Sequence, residues 1–152
     1  MATRDTLVRP FLFDTMVFVY AVGSEHPLKA PCRGILDRAG RGELIGQASV
    51  MVPLEFAHQR ARRTGDRREA FALAQEIGAL CRLLDVTADD LERAIELGGR
   101  HDGLDATDAL YAATALNREI GTILSSDRGF DGVPGLNRVD PADASAVAGL
   151  AD

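Results

Sequence analysis

The sequence predicts an α/β sandwich built round a mostly parallel sheet, and three observations carry that prediction. Short apolar runs of strand length alternate along the whole chain with stretches of helical period, the order expected of parallel strands joined by helical crossovers. The first of the runs, VRPFLFD, is apolar without alternation, as a strand covered on both faces is. The chain has 152 residues, 46% apolar and 26% charged, which suits one domain with a full core. We therefore expect a single domain over residues 1–141, followed by a loosely held tail, rich in Ala and Asp, over residues 142–152.

The first strand is read over Val8–Asp14, with Pro10 tolerated only near its start. A helix then opens at Thr15 and runs to Ala21, with Gly23-Ser24 as its stop. Lys29–Arg41 places Cys32, Ile35, Leu36 and Ala39 at helical spacing and ends at Gly40 and Gly42. Leu44–Ala48 is a weaker strand. Ser49 then serves as a plausible N-cap for a helix that holds Pro53 in its first turn and runs through Glu55 to Arg63. After the Thr64-Gly65-Asp66 turn, Arg67–Leu80 carries an apolar face of Ala70, Phe71, Ala74 and Ile77. Cys81–Val86 is a third strand. Thr87 and Asp90 have the spacing of a capping box, for a helix starting at Ala88 and ending at Gly98-Gly99. Asp105–Arg118 is a helix stopped near Gly121, Thr122–Ser126 a strand ending in Asp127, and Leu136–Val139 a last short strand.

Composition narrows the function. A net charge of -6 is unlike that of proteins that hold nucleic acid over a broad basic surface, although Arg60, Arg62, Arg63, Arg67 and Arg68 fall within nine positions. No apolar run approaches the ~20 residues of a membrane span. MATRDTLVRP lacks the apolar centre of a signal peptide, so a cytoplasmic protein with no membrane partner is expected. Cys32 and Cys81 read as buried thiols. The histidines His26, His58 and His101 have no zinc-ligand spacing, and no phosphate-binding glycine motif occurs.

The chemistry is concentrated in carboxylates. Asp14 and Asp127 each close a predicted strand, and open parallel sheets bind ligands at the carboxyl ends of their strands. Glu55 lies in the first turns of a helix leaving another strand, and Asp108 in the first turn of the helix that feeds the Asp127 strand. Each has a local explanation: Asp105 as an N-cap with Asp108 as an acidic third residue, Asp127 as an Asx turn, Asp14 as a cap, Glu55 as a solvated helix carboxylate. Their joint placement at matching element ends points further. Gathered carboxylates repel and resist ionisation unless a cation sits among them. An all-oxygen set without His or Cys favours magnesium or manganese. Asp105 and Asp108, three apart, share a helix face, so Asp105 is able both to cap and to add a metal contact.

The segments LFDTMVFVYA, VMVPLEFAHQ, DALYAATAL and ILSSDRGFDGVPGL resemble the PIN-domain ribonucleases, and within them the VapC-type toxins of bacterial toxin–antitoxin pairs. The likeness spans nearly the whole chain, Phe11 to Asp140, and is most specific in DALYAATALNREIGTILSSDRGFD. It implies a PIN-like three-layer α/β/α sandwich and a metal-dependent endoribonuclease, using Mg2+ or Mn2+ to hydrolyse RNA phosphodiester bonds. Carried over by position, Asp14, Glu55, Asp108 and Asp127 become the catalytic and metal-holding carboxylates, and Asp105 is one more than the family pattern requires. Thr15 and Ser126 become supporting hydroxyls that position waters or phosphate oxygens. The resemblance also implies a homodimer and a cognate antitoxin. The arginines at 60, 62, 63, 67 and 68 then read as an RNA or antitoxin contact, or as a solvated helix–turn surface. The residues around Tyr111, Ala112 and Leu116 read as core or dimer packing. Two alternatives compete. A PIN-like binding module that has lost catalysis is opposed by the four filled acidic positions. A hydrolase of the haloacid dehalogenase type, with Asp14 as nucleophile and Asp127 with Asp131 as its acidic pair, is opposed by Met16 where a second Asp is needed and by Lys29 being the sole lysine.

Overall fold

The computed structural model describes residues 8–152, so most of the segment read as lacking a leader lies outside the described residues. In chain order the elements are β1 (Phe11–Phe13), α1 (Thr15–Val22), α2 (Lys29–Gly40), β2 (Gly46–Ser49), α3 (Met51–Thr64), α4 (Arg67–Leu80), β3 (Arg82–Leu84), α5 (Ala88–Arg100), α6 (Ala106–Asn117), β4 (Thr122–Leu124), β5 (Asn137–Val139) and α7 (Ala144–Ala148). The strands form one sheet in the order β3-β2-β1-β4-β5, and every pairing is parallel. With helices packed as the pairs α1–α2, α3–α4 and α5–α6, the whole is a three-layer α/β/α sandwich. β1 is central, and its FLF residues are fully buried, which accounts for an apolar run without alternation. Cys32 and Cys81 are free and buried, and no described helix is long and apolar enough to cross a membrane.

Predicted and observed elements differ mainly at their ends. The strands keep only the three or four residues that pair, and their flanks bend away to meet the helices. α3 starts at Met51 because the Ser49 hydroxyl accepts from the Met51 N–H (3.1 Å) while Val50 takes the N-cap position. α5 does not stop at Gly98-Gly99 but continues to Arg100, and a methyl at Gly98 would lie 3.6 Å from Ala109 on α6. Gly98 thus faces α6 inside the helix rather than ending it. α6 stops before Gly121, because Glu119 takes a left-handed φ of 57° and the Ile120 N–H reaches back to the Ala115 carbonyl (2.9 Å). The expected loose tail instead contains α7. Asp143 caps it through the Ala146 N–H (3.0 Å), and Val147 and Leu150 pack into the core. Apolar residues three apart on one face outweighed the polar composition.

One ion pair fixes the frame beneath α6. Asp90, 1% exposed, completes the capping box with Thr87 and accepts from Arg118 through both oxygens (2.9 and 3.0 Å) and from Asn117 (2.8 Å). Arg118 also donates to the Asp85 and Thr114 carbonyls. These bonds hold the Asp90 carboxyl well below its ordinary range against the cost of burial. Arg118→Met would strand a buried carboxylate. We expect it to destabilise the fold by about 3 kcal/mol, the lower end for a broken buried pair because Arg118 is partly exposed. The loss should be read by urea unfolding at pH 7 and should shrink below pH 4, where an unfolded Asp is protonated.

Candidate active site

The sheet register builds the first part of the site. Phe13 of β1 is level with Leu124 of β4, so the next residues, Asp14 and Ser125, leave the sheet side by side. The Asp14 N–H donates to the Leu124 carbonyl (3.1 Å), and the Ser125 hydroxyl donates to Asp14 Oδ2 (2.6 Å). Ser125 Oγ in turn accepts from the Asp127 N–H (3.0 Å), and Asp127 Oδ1 accepts from the Gly129 N–H (2.8 Å). The Asx turn expected at Asp127 is therefore present. The loop is held from behind by Arg138, which donates to the Ser125 carbonyl (3.1 Å) and pairs with Asp131 (2.6 Å).

The start of α6 supplies the second part. Asp105 is the N-cap, its Oδ1 accepting from the Asp108 N–H (2.8 Å), and Asp108 is buried one turn in. The loop before α6 touches the loop after β4 at Gly103 and Gly129. A Cβ on Gly129 would lie 2.2 Å from the Gly103 carbonyl oxygen. Only glycine permits this approach, which brings the loops bearing Asp105 and Asp127 together. From α3, Glu55 enters half-buried. Its Oε2 accepts from the Tyr111 hydroxyl (3.2 Å), and its Oε1 faces the Gln59 amide at 3.4 Å.

Asp14, Glu55, Asp105, Asp108 and Asp127 line one cavity of about 240 Å3, together with Ser126, Gln59, Met16, Val19, Tyr20 and Arg63. Their electrostatics match that crowding. Burial pushes the Asp14 carboxyl up to about 6, helped by repulsion from Glu55 and Asp127 and opposed by the Ser125 bond. Burial likewise pushes Asp108 up to about 8, with Asp14, Asp105 and Asp127 adding negative charge and Asp127 accepting from its protonated form. Glu55 is raised by burial, against the hydrogen bond from the Tyr111 hydroxyl. The cavity thus holds carboxylates that resist full ionisation at neutral pH.

The PIN-domain family model matches residues 11–136. The chain belongs to the PIN-domain family. Ribonuclease VapC7 of Mycobacterium tuberculosis is 34% identical over 143 residues, 93% of this chain and 98% of the relative. Ribonuclease VapC13 of the same organism is 33% identical over 132 residues, covering 84% of this chain and 98% of the relative. Among solved structures, VapC20 of M. tuberculosis, described as a sarcin-ricin loop cleaving toxin, aligns with a TM-score of 0.66 at 22% identity, covering 84% of this chain and 98% of that one. VapBC2 from Rickettsia felis, bound to a promoter DNA fragment, aligns at 0.67 with 15% identity, covering 86% and 98%.

Within this PIN domain two of the expected roles change, and a serine that was not expected joins the site. Ser126 sits on the cavity wall, and its neighbour Ser125 supplies the hydroxyl that engages Asp14, because the register sets residue 125 beside residue 14. Thr15 is 1% exposed and turns its hydroxyl to Tyr111 (3.0 Å) rather than into the cavity. The arginine cluster is divided. Arg60 is committed to the fold, pairing with Glu69 of α4 (2.8 Å) and donating to the Val22 carbonyl at the end of α1 (3.0 Å). Arg67 lies 4.6 Å from the Phe71 ring centroid, Arg62 and Arg68 are exposed, and Arg63 alone of the five reaches the acidic cavity. Tyr111 and Ser125 were not legible as site residues, one hidden in a helix that reads as core and the other beside a more obvious serine.

The raised carboxyls set a pH dependence in the cation-free protein. Below about pH 4, Asp14 and Asp108 are protonated in both folded and unfolded chains and cost nothing. As pH rises the unfolded chain ionises first, so stability falls, up to about pH 6 for Asp14 and about pH 8 for Asp108. In chelator, Asp108→Asn should therefore melt at least about 3 °C above the unaltered protein at pH 8, and the advantage should vanish at pH 4.

Proposed function

We propose that this chain is a metal-dependent endoribonuclease, the toxin of a toxin–antitoxin pair, that hydrolyses RNA phosphodiester bonds with Mg2+ or Mn2+. The observation that carries the reading is the set of five carboxylates lining one cavity at the carboxyl edge of a parallel sheet. Among the described residues no three Asp, Glu, His or Cys side chains close on one point tightly enough to hold an ion by themselves. The donor chemistry nevertheless fits a hard divalent cation. It is all oxygen, Asp14 and Asp108 resist ionisation because they are buried and stand among other acids, and the 240 Å3 cavity has room for an ion that keeps waters. Asp14, Asp108 and Asp127 would hold the cation, with Glu55 and Asp105 at its margin. When bound, the cation would supply charge neutralisation at the scissile phosphate and lower the pKa of water.

The chain's own groups then divide the work. Ser125 fixes one oxygen of Asp14, leaving the other for the cation. Glu55 orients the attacking water and takes its proton as the phosphorus–oxygen bond to the leaving group breaks. Arg63 binds a phosphate next to the scissile one, at the junction of the acidic cavity and a 410 Å3 cleft lined by Val22, Phe56 and Thr64. The same cleft and its apolar continuation past Phe18, Leu36 and Leu73 would receive an antitoxin segment. Leu91 and Ile95, exposed one turn apart on α5, are suited to a homodimer contact. Met16, a thioether on the cavity wall, replaces the second Asp that an aspartyl-nucleophile hydrolase needs.

Asp108→Asn should lower RNA cleavage at least about 100-fold in Mg2+ or Mn2+ and relieve growth arrest on expression, with the circular dichroism spectrum unchanged. Asp105→Asn should be milder, because Asn still caps a helix. Equal inactivation by both would move Asp105 into the catalytic set, and full toxicity of a folded Asp108→Asn protein would overturn the assignment.

For the basic residues, Arg63→Gln should raise KM for RNA about 5- to 10-fold and reduce the salt dependence of binding by about one phosphate contact. Arg62→Gln should leave KM within about twofold. Equal effects from the two changes would return the whole cluster to a general surface role.

A further inference from the structure

We infer that the Tyr111 hydroxyl is a positioning group, which holds Glu55 in its working orientation through a one-way hydrogen-bond chain that begins at Thr15. Tyr111 is fully buried on α6, and its ring is part of the core. Its hydroxyl lies 3.0 Å from Thr15 Oγ1 and 3.2 Å from Glu55 Oε2. Proton counting sets the direction. A carboxylate only accepts, so the single phenolic proton goes to Glu55, and the Thr15 hydroxyl must then donate to Tyr111. Such a chain polarises along its length, strengthening the bond to Glu55.

The chain ties together three elements. Thr15 follows Asp14 at the end of β1, Tyr111 is three residues beyond Asp108 on α6, and Glu55 comes from α3. One hydroxyl therefore references the α3 carboxylate to the two elements that carry the buried acids of the cavity, Asp14 and Asp108. With Oε2 held, Oε1 has, among the described residues, only the long contact to Gln59, itself a cavity residue. The apolar ring explains why Tyr111 reads as core, but packing alone does not explain a phenol there. A hydroxyl at zero exposure needs partners, and the partners here are a site carboxylate and the residue next to another.

The inference rests on the ribonuclease reading, and Tyr111→Phe tests it, since it keeps the ring and removes one oxygen. We expect kcat for RNA cleavage to fall about 10-fold with KM within about twofold, and Mn2+ affinity, measured by calorimetry on the free protein, to weaken several-fold. In a Glu55→Ala background, Tyr111→Phe should add nothing to the loss of Mn2+ affinity. Thr15→Val, which removes only the far donor, should lower kcat less and in the same direction, and stands in if Tyr111→Phe fails to fold. Cleavage and Mn2+ affinity within twofold of the unaltered protein for either folded variant, or an equal loss in both backgrounds, would overturn the positioning role. An unaltered protein that neither binds Mn2+ nor cuts RNA would instead overturn the ribonuclease reading.

Discussion

Mutual repulsion among carboxylates at the carboxyl edge of the sheet is the constraint round which this protein is arranged. Left to themselves Asp14, Glu55, Asp105, Asp108 and Asp127 would spread into solvent, yet they line one cavity. What holds them is backbone that cannot yield. Asp14 is fixed by the β1–β4 ladder, Asp127 by its turn on Gly129, and Asp105 with Asp108 by the first turn of α6. The Gly103–Gly129 contact closes the last gap, because no side chain fits between those loops. Burial first, and repulsion from the neighbouring acids after it, raise Asp14 to about 6 and Asp108 to about 8 at this edge.

The same helix pair contains the opposite solution. Asp90, at the start of α5, is more deeply buried than Asp108, yet its carboxyl is held below its ordinary range while that of Asp108 is raised. The difference lies in the partners. Asp90 has a guanidinium on both oxygens, an amide from Asn117 and a capping-box N–H. Asp108 has carboxylates as neighbours. Burial alone therefore does not mark a functional acid. An acid buried beside other acids, on a helix end anchored elsewhere by a satisfied ion pair, is the stronger candidate.

Sequence legibility followed the range of the interaction. Features set within a few residues were readable: the Thr87–Asp90 capping box, the α4 boundaries at Arg67 and Leu80, the Asp105 cap and the order of strands and helices. The five carboxylates were readable because parallel-sheet topology places strand ends and helix starts at one edge. What needed the fold was register and long-range pairing. Two adjacent serines cannot be told apart until β4 is aligned with β1, which selects Ser125. Tyr111 looks apolar in its helix because its ring is apolar, and its hydroxyl gains meaning only from residues 56 and 96 positions away. Arg60 looked like its neighbours until α4 brought Glu69 against it. The tail misled because capping and two apolar residues outweigh a polar average.

The groups that orient the acids share one property. Among the described residues, every side chain that donates to the carboxylates of Asp14 and Glu55 is neutral: Ser125, Tyr111 and Gln59. A guanidinium in the same place would orient a carboxylate as well or better, and Arg118 shows that this chain builds such contacts. It would also supply positive charge from within and occupy oxygens that the proposed cation would use. Hydroxyl and amide donors fix direction while leaving the negative charge unspent. Among the described residues the one cation of the cavity lining, Arg63, is an exposed residue reaching in from the middle of the basic cluster, where a phosphate rather than a carboxylate can be its partner. Orientation by neutral donors inside and attraction by arginine at the rim are thus two halves of one electrostatic arrangement, an acidic cavity kept short of cations beside a surface that is not.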